Sequence, residues 1–202
     1  MNLVKKIFKS KVKAYTDKQL LDRVKQLPNY THLPEGYFII GVRSSEDTLD
    51  CNDDKFYLFS PRKKCVLVVI GTTNPGKVGL LHYVIFNING VAVLKADYCH
   101  YDLWEQRMHR KKVWAWCQRI ATAFYRDNDG DQHTEQLGTE LFGQIGINFH
   151  PQTYKKDSTL LKQTIGEWSV GCQCPANRQD FNTIMKLTKE QTTMSYFLLN
   201  EF

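Results

Sequence analysis

The sequence predicts a mostly β domain, of sandwich or barrel type, with one helix near the N-terminus and another near the C-terminus. Three observations carry this. Between residues 36 and 99, five short runs rich in β-branched and aromatic residues follow one another: "GYFIIGVR", "KFYLFS", "CVLVVIGTT", "LLHYVIFNI" and "VAVLKADYC". The stretches that divide them, "DTLDCNDD", "SPRKK", "NPGK" and "NING", are turn formers, and short strands at regular spacing with such breaks are the pattern of an all-β domain. Outside this block, two segments carry an apolar stripe at helical spacing.

The first helix is read in "YTDKQLLDRVKQLP", where Thr16 or Asp17 can cap, Leu20, Leu21, Val24 and Leu27 form the stripe, and Pro28 stops it. Each of the five runs then reads as a strand, with "TTNPG" a turn whose corner is Pro75-Gly76. "YDLWEQRMHRKK" reads as a short helix or irregular crossing, and "VWAWCQRIATAFYRD" as one or two strands ending at the turn "DNDGD". "LFGQIGINFH" reads as a strand that delivers His150 at its end, and "GEWSVGCQC" as a strand or strand edge. The second helix lies in "ANRQDFNTIMKLTKE", with Asn177 as cap and Asp180 in the first turn, where a negative charge meets the positive end of the helix dipole. "MSYFLLNEF" closes the chain as a strand. The organisation expected is a basic N-terminal segment and helix over residues 1–35 and one domain over 36–202.

Composition narrows the functional classes. A chain of 202 residues, 42% hydrophobic and 12% aromatic, is long enough for one substantial core. No apolar run approaches the roughly 20 residues needed to span a membrane. The opening "MNLVKKIFKSKVKAY" has no apolar centre and no small-residue cleavage site, so it is expected to be made in a cytoplasm without a signal peptide. The net charge of +6 is spread over the N-terminal segment, "SPRKKC" and "RMHRKK" rather than gathered on one groove, so no nucleic-acid partner is expected. The six cysteines, Cys51, Cys65, Cys99, Cys117, Cys172 and Cys174, are expected reduced. They lack the paired spacing of a zinc site. "DNDGDQHTE" alternates acids, but its glycine falls at the fourth position rather than the sixth, so it is read as a charged turn and no metal is expected.

The chemistry concentrates in "GINFH" and "GEWSVGCQCP". A thiolate is a strong nucleophile once an imidazole or positive dipole helps it form, and its reaction needs N–H groups aimed at the developing oxyanion. His150 lies 22 residues before Cys172, Gly171 precedes the cysteine, and Ser169 sits nearby to orient the histidine or bind an amide. The bland alternative is two small buried thiols and a satisfied structural histidine.

Over residues 143–175 these stretches resemble the L,D-transpeptidase catalytic-domain family, in which a strand ends in a histidine and a later Ser/Thr-His-Gly-Cys carries the nucleophile. "VRSSEDTLDCNDDKFYLF", "TTNPG", "YRDNDGD", "GINFH" and "WSVGCQ" further resemble a branch of gut Bacteroidetes and their phages. The resemblance implies a β-rich L,D-transpeptidase-like fold with the second helix after the nucleophile. It implies that Cys172 is acylated by a peptidoglycan stem peptide, that His150 is its base, and that Ser169, Gly171 and the Cys172 backbone line the oxyanion pocket. Gln173, His109 and Asn74 become candidate substrate contacts, and no cofactor is required. The chain departs from the family at Val170, which replaces a second histidine, at Gln173, which replaces an apolar residue, and at Cys174, which replaces an Arg or Asn.

The activity expected is therefore cysteine-dependent acyl transfer or hydrolysis on peptidoglycan, as a lysin or wall-remodelling enzyme acting at the cell wall or periplasm. A phage origin would place it among virion components. Two rivals stand beside it: a virion or wall-binding protein that keeps the fold without turnover, and a Cys/His hydrolase of proteins.

Overall fold

The computed structural model describes residues 12–202 apart from positions 47, 87 and 137; most of the basic N-terminal segment, residues 1–11, lies outside the described residues. The chain is mostly β, 36% strand and 15% helix. Seven strands form a curled half-barrel sheet. They are β1 (Phe38–Arg43), β2 (Asp54–Phe59), β3 (Cys65–Thr72), β5 (Tyr98–His109), β6 (Val113–Gln118), β9 (Cys174–Pro175) and β10 (Thr193–Asn200), in the order β6-β5-β10-β1-β2-β3-β9. A second sheet joins β4 (Val91–Leu94), β7 (Thr122–Asp127) and β8 (Leu141–Gly143) in the order β4-β7-β8. All paired strands are antiparallel except β1 and β10, which run parallel with Ile39 opposite Tyr196.

Period-2 alternation makes the large sheet two-faced. Phe38, Ile40, Val42, Tyr57, Phe59, Phe197 and Leu199 point to one side, where Leu20 and Val24 of α1 (Asp17–Lys25), with Leu27 just after it, cover them. Ile39, Phe56, Leu58, Trp104, Tyr196 and Leu198 point to the other, against Phe149, Leu94, Phe124 and α3 (Arg178–Leu187). Both caps fall where the sequence places them. Thr16 forms a reciprocal capping box with Gln19, and the Asn177 side chain accepts from the N–H groups of Gln179 and Asp180. The last strand, β10, is buried at every position from Met194 to Leu199, because it lies in the middle of the sheet.

Four local expectations are corrected. "YDLWEQRMHRKK" is not helical: most of it belongs to the twelve-residue strand β5, paired on both sides by β10 and β6. Its helix formers are overridden by pairing on both sides and by the full burial of Leu103 and Trp104. "LLHYVIFNI" is not a strand: α2 (Lys77–His82) and a 3-10 turn at Tyr83–Phe86 occupy it, with Leu80 buried while Val84 and Ile85 face outward. "LFGQIGINFH" yields only the short β8 and an isolated bridge at Phe149, which pairs with Trp116 and Gln173. "GEWSVGCQC" is a run of turns that ends in the two-residue β9.

His100 shows how the second sheet is tied to the first. It is 2% exposed, its Nε2 bonds the Lys95 carbonyl at 2.9 Å, and its Nδ1 faces the Thr122 hydroxyl. The carbonyl can only accept, so Nε2 carries a proton, and burial keeps the ring neutral. Burial pulls its pKa from 6.5 to about 3, and the buried His109 and His150 are pulled to about 4 and about 3. The unfolded chain takes up these protons below pH 6.5 and the folded chain does not, so the three histidines cost stability as pH falls from 6.5 toward 4. Asp127, raised by burial from 3.8 to about 6, opposes them across part of that window. Denaturant titrations across this range should show His100→Gln flattening the acid loss by about 1.4 kcal/mol per pH unit. An unchanged slope would mean that His100 is not held neutral.

Candidate active site

The segment from Gly166 to Pro175 ends in β9 at the edge of the large sheet, beside β3, and backbone bonds fix it at several points. The Ser169 carbonyl accepts from Gly76 N–H, the Val170 carbonyl from Ala92 N–H, Gln173 N–H donates to the Asn148 carbonyl, and the Gln173 carbonyl accepts from His150 N–H. Gly171 is required here. Its φ is +127°, and a Cβ would overlap the Ala92 carbonyl.

Gln173 anchors the segment from below. Its side chain is fully buried, with Nε2 donating to the carbonyls of Thr73 and Gly171, both at 3.2 Å, and Oε1 accepting from the Tyr196 hydroxyl at 2.8 Å. The same Thr73 is bound by Asp54, whose buried carboxylate takes its N–H at 2.6 Å and its hydroxyl at 2.8 Å, and by Arg43 Nε at 3.0 Å. Gln173 is thus not a substrate contact: every polar atom of its amide is committed within the core. Nor does Asn74 reach the cavity described next; it is buried in the turn after β3, where its backbone N–H and carbonyl bond the Thr72 hydroxyl.

Above this network lies a cavity of about 470 Å³. Cys172, Gly171, Val170 and Trp168 form one wall, Ile145 to Asn148 and His150 a second, His109 and Arg110 a third, and Ala92 and Arg126 part of the rest. The structure therefore brings together Cys172, His150, Gly171 and His109 of the residues singled out by sequence. His109, expected on a basic helix, stands at the end of β5 and stacks on His150 with ring centroids 4.3 Å apart. Its Nδ1 meets Asn148 Nδ2 at 3.2 Å, so the ring proton sits on Nε2, which is buried without a partner among the described residues.

The pairing of thiols with imidazole differs from the expected one. The thiol at hydrogen-bonding distance of His150 is that of Cys174, 3.6 Å from Nε2, and it is fully buried. Cys172 Sγ instead donates to the Gly146 carbonyl at 3.5 Å and accepts the Asn148 N–H at 3.4 Å. Residues 172 and 174 are two apart in extended chain, so Gln173 turns into the core while the cysteines share the other side. Ser169 does not orient the histidine. Its hydroxyl donates to the Cys172 carbonyl at 2.8 Å and accepts the Gly171 N–H at 3.1 Å, which takes that N–H out of any oxyanion pocket. The Cys172 N–H is left without a partner among the described residues.

Burial pushes the Cys172 thiol up to about 11, against the opposing pull of the Asn148 N–H and the Arg110 charge. Cys174 is pushed well above its ordinary value for the same first reason. Burial, and then the neighbouring His109, pull His150 down to about 3. The resting site thus holds a neutral thiol and neutral imidazoles.

Among the described residues, metal-type ligands gather only at Asp129, Asp131 and Glu135 in the acidic turn, with oxygens within 4.8 Å of one another. None of these lines the cavity. Comparisons of the chain with protein-family models, with curated proteins and with solved structures each find no match.

Gln173→Leu removes the partner of a buried tyrosine hydroxyl and of two carbonyls, and unfolding titrations should show a loss of about 2–4 kcal/mol; a change under about 0.5 kcal/mol would mean the amide does not hold the segment. Iodoacetamide labelling read by peptide mapping should find Cys172 reacting about tenfold faster per pH unit from pH 7 to 9, and Cys174 unlabelled in the folded chain. A Cys172 rate that stays level down to pH 5 would reveal a preformed thiolate–imidazolium pair instead.

Proposed function

We propose that the chain is a cysteine-dependent acyl transferase or hydrolase acting on peptide carbonyls, with peptidoglycan stem peptides as its substrates. The observation that carries the reading is the position of Cys172. Its thiol stands on the wall of a cavity that also holds two neutral imidazoles, beside its own backbone N–H, which has no partner among the described residues. Cys174 is the weaker candidate because its sulfur is sealed from solvent.

In this reading Cys172 turns about χ1 away from the Gly146 carbonyl and attacks the substrate carbonyl carbon. The S–C bond forms, and the thiol proton passes to Nε2 of neutral His150, which the Cys174 thiol releases first. The Cys172 N–H stabilises the oxyanion. Collapse breaks the C–N bond, and the departing amine takes the proton from the imidazolium. Water then adds to the thioester and releases a carboxylic acid and the thiol; an amine adding in its place completes a transpeptidation. The absence of an Arg or Asn at position 174 and of a histidine at 170 leaves fewer polar groups to hold a second stem, which favours water as the acceptor. The rival reading, a wall-binding protein without turnover, draws on the raised Cys172 pKa and on the commitment of His150 Nε2 to Cys174.

Muropeptide digestion read by mass separates the two. Cys172→Ser should lower turnover by about a thousandfold or more, while Cys174→Ala, which only repositions His150, should keep it within about tenfold. Activity that depends on Cys174 and not on Cys172 would move the nucleophile, and wild-type protein that leaves disaccharide-tetrapeptides and cross-linked dimers unchanged would favour the binding protein.

A further inference from the structure

The walls of the cavity carry a charge pattern that the attack on a carbonyl does not use. Two guanidinium groups reach it, from Arg110 in the turn between β5 and β6 and from Arg126 on β7, and among the described residues no Asp or Glu lines it. Neither arginine has a carboxylate within ion-pairing distance among the described residues, whereas Arg23, Arg107 and Arg119 each do. Arg126 spends one donor on the Gly90 carbonyl at 2.9 Å and lies over the Phe124 ring, 5.2 Å from its centroid. Arg110 lines the cavity beside His109 and is otherwise exposed to solvent. With both histidines neutral, these two arginines are the charged groups on the wall among the described residues, and Phe86, Ile88, Ala92, Ile145, Ile147 and Val170 supply its apolar part.

Two guanidinium groups on the wall of a half-open cavity, without counter-charges among the described residues, favour an anion, and the planar fork of each matches a carboxylate. We propose that Arg110 and Arg126 bind the free C-terminal carboxylate of a short peptide whose neighbouring carbonyl is presented to Cys172, so that the chain selects peptide ends over peptide interiors. This rests on the reading of Cys172 as the acyl acceptor and supplies its substrate class.

Binding can be measured apart from turnover, using Trp168 on the cavity wall as the fluorescent reporter and the Cys172→Ala chain to prevent acylation. A disaccharide-tetrapeptide with a free C-terminus should bind about tenfold or more tightly than its C-terminal amide. The preference should vanish in the Arg110→Gln/Arg126→Gln double variant, whose fold is checked by its melting temperature. Should that variant not fold, each single variant should lose part of the preference. Equal affinity for acid and amide, or a preference that survives the double substitution, overturns the proposal. Acid-selective binding by a wild-type chain that never turns over would sink the role of Cys172 and leave this site standing. Equal turnover of acid and amide would do the reverse.

Discussion

The side-chain amide of Gln173 is the constraint on which the site depends. It joins the middle of the large sheet, through Tyr196, to the turn after β3, through the Thr73 carbonyl, and to the turn that precedes the cysteine, through the Gly171 carbonyl. Its backbone joins the same point to Asn148 and His150. An irregular segment with few ladder bonds of its own is thereby held by a core strand. A buried amide of this kind is specific: each lost partner costs about 1–3 kcal/mol, so alternative registers are penalised several times over. Gly41 belongs to the same device, since a Cβ there would overlap the Tyr196 hydroxyl that reaches Gln173.

What the network fixes is direction. Because Gln173 points into the core, Cys172 and Cys174 emerge on the opposite side, one lining the cavity and the other sealed against His150. The cavity then gathers groups from distant parts of the chain: Phe86 and Ile88, Ala92 and Arg126 of the second sheet, the end of β5 with Arg110, the 145–150 segment and the 168–172 turns. The histidines are neutral because they are buried and stacked, and the thiol is neutral because burial outweighs the pull of Arg110. In the proposed reading, the proton moves during attack rather than before it.

Much of the fold was legible in the sequence where local chemistry and tertiary demand agree. Thr16 with Gln19 and Asn177 before Gln179 are caps wherever such helices form, and alternation in β1, β2 and β10 matches a sheet covered on both faces. Reading failed where they conflict. The Glu, Gln, Arg, Met and Lys residues of "YDLWEQRMHRKK" prefer a helix, but pairing with two strands holds most of the stretch extended. The β-branched run after Pro75 becomes helical because only Leu80 is needed inside. At the site, the Cys172, His150 and Gly171 constellation was visible from spacing and resemblance. The role of Gln173 was not, since an amide can serve a substrate or the backbone equally well. Arg110 and Arg126 lay in stretches already noticed, "RMHRKK" and "YRDNDGD", but only the fold turns them toward one space.

The central claim is that Cys172 forms a covalent acyl bond with a peptide carbonyl. The most direct measurement is acid quenching of the wild-type chain during reaction with a disaccharide-tetrapeptide, followed by digestion and mass mapping of the cysteine-containing peptides. The account predicts a thioester adduct on Cys172, labile to hydroxylamine, with the other five cysteines unmodified. Product accumulating with an adduct on another cysteine, or with none at any quench time, would contradict it.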